Sequence, residues 1–204
     1  MKKFKTIIFD LDGVIIDSEK NMEKSWNNVK VKHSIKQNFN MYFKYVGYPF
    51  ETILKKIGIK DDIAEIKESY KKFSIKNIKY IKVNREMIKT IHILREKKIK
   101  LAIVTSKDLS RTKLIVKKFS IPIKLIISPT KNMRGKPFPD QLNLAVKKLK
   151  SYKRNSVYVG DMYVDKLSAK NSGIDFIFAQ YGYGNNKKKY SRVIKKPIDI
   201  LKFI

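Results

Sequence analysis

The chain has 204 residues and no cysteine, which excludes a disulfide framework and thiolate chemistry and fits a reducing compartment. Lys and Arg number 47 against 18 Asp and Glu, a formal net charge of +29 that first suggests a nucleic-acid binder. Only six of the 47 are Arg, however, the planar fork that such readers exploit. The lysines run along the whole chain together with abundant Ile and Asn, so the charge reads as compositional drift, with attraction of anionic substrates as the second reading. No specific nucleic-acid partner is expected. Apolar residues make up 43%, enough for a core, and nowhere do eighteen run together, so no membrane-spanning helix and no membrane partner is expected. The expectation is a cytoplasmic monomer or weak dimer, built as one domain with an insertion.

In chain order, Ile7, Ile8 and Phe9 form a short apolar run that predicts a buried strand. Asp10 and Asp12 follow at once, and Gly13 permits a sharp turn. A polar helix is expected to about residue 33, with Met22, Trp26 and Val29 at helical spacing. Further helices are expected over 39–46, 51–57 and 61–73, punctuated by Gly47-Tyr48-Pro49 and Gly58. No strand is legible between residues 17 and 80. From residue 83 the pattern changes to alternating helices and strands: helix to 98, strand 100–104, helix 109–119, strand 124–127, helix 140–149, strand 156–159, helix 163–171 closed by Gly173, and strand 175–179. Residues 185–189 read as a charged loop, and the tail as one strand and one short helix. Alternation of this kind implies parallel βαβ units. The expected fold is α/β: a Rossmann-like parallel sheet with helices on both faces (1–16 and 83–204), plus a small helical cap inserted after the first strand (17–82).

Ligands of open parallel sheets bind beyond the carboxyl ends of the strands. Four strand ends or loops carry polar residues that could meet there: Asp10 and Asp12, Thr105 and Ser106, Lys136 in GKPFPD, and Asp161 and Asp165 in GDMYVD. Taken singly each has a plainer reading: a turn, a helix-capping hydroxyl, a surface amine and a capped loop. Taken together they are hard to ascribe to drift, because four of only eleven aspartates fall directly after apolar runs. Carboxylates crowded beside a core are costly unless paired, and a hard divalent cation such as magnesium prefers such oxygen ligands.

With DLDG at 10–13, VTS at 104–106, GKPFPD at 135–140 and GDMYVD at 160–165 in order, the chain resembles the haloacid dehalogenase superfamily, in the branch of phosphoglycolate phosphatase and β-phosphoglucomutase. The resemblance implies a phosphatase acting on a small phosphate ester with Mg²⁺ as cofactor. By resemblance Asp10 is the nucleophile, Asp12 the general acid and base, and Thr105, Ser106 and Lys136 bind the phosphoryl group. Asp10, Asp12 (through its backbone carbonyl), Asp161 and Asp165 would hold or orient the metal. Asp12 argues against a dehalogenase, which needs no proton for its leaving group. Mutases of the branch resemble one another in a cap His and Arg, where this chain has Met22 and Phe50. A mutase and a basic binding protein with an unused site remain the alternatives. Specificity is expected from the cap, around Gly47, Tyr48 and Lys44.

Overall fold

A computed structural model describes residues 2–184 and 190–204; the loop expected at 185–189 lies outside them. The strands in chain order are β1 (Thr6–Phe9), β2 (Ile16–Asp17), β3 (Lys82–Val83), β4 (Lys100–Val104), β5 (Leu125–Ile127), β6 (Ser156–Gly160), β7 (Asp175–Ala179) and β8 (Val193–Ile194). The helices are α1 (Glu19–Lys32), α2 (Phe39–Phe43), α3 (Phe50–Lys56), α4 (Ile63–Lys76), α5 (Arg85–Glu96), α6 (Leu109–Lys118), α7 (Asp140–Lys148) and α8 (Tyr163–Ser172).

Six strands form one parallel sheet in the order β5-β4-β1-β6-β7-β8. Successive side chains of a strand point to opposite faces, and the apolar runs feed two separate layers. Ile7, Phe9, Ile103, Val157, Val159 and Ile177 face one layer, covered by Met87, Ile91 and Leu94 of α5, Ile115 of α6, and Ile200 and Phe203 of the C-terminal 3₁₀ stretch. Ile8, Ala102, Val104 and Tyr158 face the other, covered by Leu142, Ala145 and Val146 of α7 and Ala169 of α8. Helices therefore lie on both faces, as the run of βαβ units requires.

Strand β1 is central. It pairs with β4 on one side and β6 on the other, with Phe9 level with both Ile103 and Val159. The chain order reverses direction there, and such a switch point opens a crevice at the strands' carboxyl ends.

Helices α1 to α4 bury a cluster of their own, around Met22, Trp26, Tyr42, Leu54 and Tyr70. The Trp26 ring stacks on Tyr42 at 4.7 Å, and its indole N–H donates to the Gln37 carbonyl at 3.0 Å. Burying an aromatic side chain of this size stabilises by roughly 1.5–3 kcal/mol, so the helical group holds together by its own apolar contacts. Two elements differ from expectation. Helix α2 stops at Phe43, and the chain turns early, with Val46 N–H on the Phe43 carbonyl at 3.0 Å. Strands β2 and β3 were not legible; they pair antiparallel, Ile16 opposite Val83, where the chain leaves and rejoins the sheet. Two-residue runs carry no readable periodicity.

Candidate active site

The ends of β1, β4 and β6 bring together residues far apart in sequence. Asp10 continues the β1 ladder, its N–H on the Val159 carbonyl at 2.8 Å, and its side chain is buried. Asp10, Asp161 and Asp165 each offer an oxygen such that all lie within 4.8 Å of one another. The Lys136 ammonium sits among them, 2.7 Å from Asp10 Oδ1 and 2.7 Å from Asp165 Oδ1. Asp165 is held from two further sides: the Tyr158 hydroxyl donates to Oδ1 at 3.2 Å, and the Met162 N–H to Oδ2 at 3.0 Å at the start of α8.

Three carboxylates against one ammonium leave an excess of two negative charges if all are ionised. Burial pushes the Asp10 carboxyl up to about 7; the Lys136 ammonium pulls it down, and Asp165 and Asp12 push it back up. Asp161 is raised well above the carboxylate range by burial, with Asp165 and Asp10 adding to it. Burial also works against the Lys136 charge, but Asp10 and Asp165 outweigh it and hold the ammonium above its ordinary value. A divalent cation would cancel the excess. The donor set suits one: Asp161 Oδ1 is buried with no hydrogen-bond partner among the described residues, while its Oδ2 accepts from the Tyr183 N–H at 2.7 Å. Oxygen donors only, and an orphaned one, fit Mg²⁺. The approach to Asp161 depends on Gly13, at φ +79°, where a Cβ would run into the Asp161 carboxylate.

Asp12 stands apart from the acidic trio. Its Oδ1 accepts from the Ser18 hydroxyl and lies 3.2 Å from the Lys107 ammonium. Asp10, Asp12, Thr105 and Ser106 all line one cavity of about 50 Å³ between the sheet and the helical group. Thr105 is buried; its hydroxyl accepts from the Lys107 N–H at 3.1 Å, and Gln141 fixes its carbonyl at 2.9 Å. The Ser106 hydroxyl donates to the Gly47 carbonyl at 2.7 Å, so a sheet-end residue is tied directly to the inserted helices. Gly47 and Tyr48 reach the cavity as the sequence suggested. Lys44 does not line it: its ammonium lies 5.7 Å from the centre of the Tyr45 ring, so this expected specificity residue is placed elsewhere.

Sequence reasoning missed two contributors, Lys107 and Arg111. Lys107, adjacent to the Thr105-Ser106 pair, is buried, and burial lowers its ammonium from the ordinary value despite the opposing pull of Asp12. Arg111, one of the six arginines, also lines the cavity. Tyr183 joins three parts: its N–H binds Asp161, its hydroxyl oxygen accepts from the Ser18 N–H at 2.6 Å, and its ring lies 5.3 Å from that of Phe43. Position beside a motif could have pointed to Lys107; Arg111 had no local signal.

Residues 7–179 match the family model for haloacid dehalogenase-like hydrolases, and the chain belongs to that family. It is 28% identical to a phosphoglycolate phosphatase of Aquifex aeolicus, over 98% of this chain and 96% of the relative. It is 26% identical to a pyrophosphatase PpaX of Halalkalibacterium halodurans, over 93% and 89%. Among solved structures, a haloacid dehalogenase-like hydrolase from Streptococcus pneumoniae superposes with a TM-score of 0.86 at 21% identity, covering 98% of both chains, which is a likeness of fold.

Proposed function

We propose that the protein is an Mg²⁺-dependent phosphatase that hydrolyses a small phosphorylated metabolite through an aspartyl-phosphate. The observation that carries this reading is Lys136 bonded to both Asp10 and Asp165 within an acidic trio, at the sheet's switch point and beside the cavity. The relatives named for phosphoglycolate and pyrophosphate hydrolysis support it.

In this reading the Asp10 carboxylate attacks phosphorus, and the bond to the leaving oxygen breaks as that oxygen takes a proton from Asp12. Water then attacks the aspartyl-phosphate, giving its proton to Asp12 and releasing phosphate and free Asp10. Ser18 and Lys107 fix the Asp12 carboxyl; Thr105 and the backbone at Ser106 bind phosphoryl oxygens; Lys136 offsets charge developing beside Asp10. Asp10, Asp161 and Asp165, with the backbone carbonyl of Asp12, would hold Mg²⁺. The chemistry the ion supplies when bound is neutralisation of charge at the phosphoryl oxygens.

Residues 17–82 act as a cap whose Gly47-Tyr48-Pro49 loop closes on the site and screens it from water. Met22 and Phe50 both line the cavity, and neither can serve the phosphoryl transfers of a mutase, which favours simple hydrolysis. The experiment is turnover of p-nitrophenyl phosphate with and without Mg²⁺. Asp10→Asn is expected to abolish it while retaining the fold; undiminished Mg²⁺-dependent turnover in that variant overturns the reading.

A further inference from the structure

Among the described residues, Arg111 is the one cationic group on the cavity wall that the mechanism above leaves without a task. Its residue is 9% exposed, yet its guanidinium is only partly satisfied. Nε bonds Asp108, the N-terminal cap of its own helix, and Nη1 is buried with no hydrogen-bond partner among the described residues. An unmet buried donor on a charged group is costly in free energy. The structure keeps it at a defined place: on the same cavity as Asp10 and Asp12, and also on the rim of an adjoining cleft of about 650 Å³ between the helical group and the sheet.

A second donor lies beside it. The Arg111 guanidinium stands 5.3 Å from the centre of the Tyr70 ring. The Tyr70 hydroxyl oxygen accepts from the Tyr42 hydroxyl at 3.0 Å and from the Arg111 guanidinium, which leaves the Tyr70 proton to be given away. Burial holds both phenols above their ordinary range, so they remain neutral donors. The other cation of the cavity, Lys107, is already engaged by Asp12. A planar guanidinium with one unpartnered buried nitrogen, next to a neutral hydroxyl donor, is chemistry that binds an oxyanion.

We propose that Arg111, with Tyr70, forms a second anion-binding subsite that holds a further anionic group of the phosphate-ester substrate. This rests on the phosphatase reading and narrows its substrate class.

The test compares kcat/KM for p-nitrophenyl phosphate, with its single anionic group, against two short esters, one bearing a carboxylate and one a second phosphoryl group. The wild-type protein is expected to prefer one of the doubly anionic esters, and which one identifies the anion. In Arg111→Gln that preference ratio is expected to fall about 10- to 100-fold, chiefly through KM, as for loss of hydrogen bonds to a charged group. Arg111→Lys should recover part of it, and Tyr70→Phe, which removes only a hydroxyl, should lower it several-fold. No wild-type preference, or an unchanged ratio in both Arg111→Gln and Tyr70→Phe, overturns the proposal. If the wild type turns over none of the esters, the phosphatase reading fails. Calorimetric binding of the two esters to Asp10→Asn then decides the subsite: affinity lowered by adding Arg111→Gln supports it, and unchanged affinity or no binding overturns it.

Discussion

Ser106 and Gly47 are joined by a 2.7 Å hydrogen bond from hydroxyl to carbonyl, the contact that fastens the inserted helices over the end of β4. The bond is part-buried and neutral, and a net contribution of about 1 kcal/mol is expected of it. Ser106→Ala should therefore favour the open arrangement without loosening the sheet. A KM raised by about fivefold, with the unfolding midpoint unmoved, is the expected result of steady-state kinetics paired with denaturant titration. An unchanged KM would mean that the bond does not govern closure.

Lys136 is the sole ammonium bonded to two buried carboxylates here, among the described residues. Removing one partner of such a cluster costs about 3–5 kcal/mol, because the remaining charges stay buried and uncompensated. Lys136→Met should lose stability of that order in EDTA and should recover part of it on addition of Mg²⁺, while turnover stays absent. Stability equal to wild type in EDTA would show that the carboxylates shed their charge instead.

The effect of Asp161→Asn should run the other way. In the metal-free protein it removes a carboxyl that burial, with Asp165 and Asp10, holds well above its ordinary range and replaces it with a group that never ionises, and the amide oxygen can still accept from the Tyr183 N–H. The variant should melt at a higher temperature than wild type in EDTA, and at a lower one in saturating Mg²⁺. Differential scanning fluorimetry with and without the ion checks both signs.

The same crowding sets a dependence on pH. Asp10, at about 7 in the metal-free fold against about 3.8 in an unfolded chain, binds a proton when folded that the unfolded chain has released between those values. Its contribution to metal-free stability therefore declines as pH rises through that window. A cation competes with this proton, so the gain in Tm from Mg²⁺ should grow from pH 5 to pH 8. A gain that is constant with pH would place the ion away from Asp10.

The parts legible in the sequence were those where an apolar run stops abruptly at a charge. Strand β1 ending at Asp10, and β6 ending at Asp161, carry that contrast even in a lysine-rich chain. The parts that were not legible depend on burial alone. Lys107 and Arg111 look like any other basic residue until the helical group folds down on them, and Lys44 looked equally suitable until its short helix turned it toward Tyr45. Tyr183 follows β7 in a glycine-rich turn that has no period to read, so only three-dimensional placement shows it bridging Asp161 and Ser18.

The antiparallel pairing of β2 and β3 has a broader meaning for how such a molecule changes over time. The inserted helices hang from a two-stranded stalk whose ends lie side by side, Ile16 facing Val83. All six strands of the main sheet lie outside the excursion between them, so the strand order is set by the rest of the chain. The excursion can thus vary in length and make-up like a tool head on a fixed handle, without the sheet having to be rebuilt.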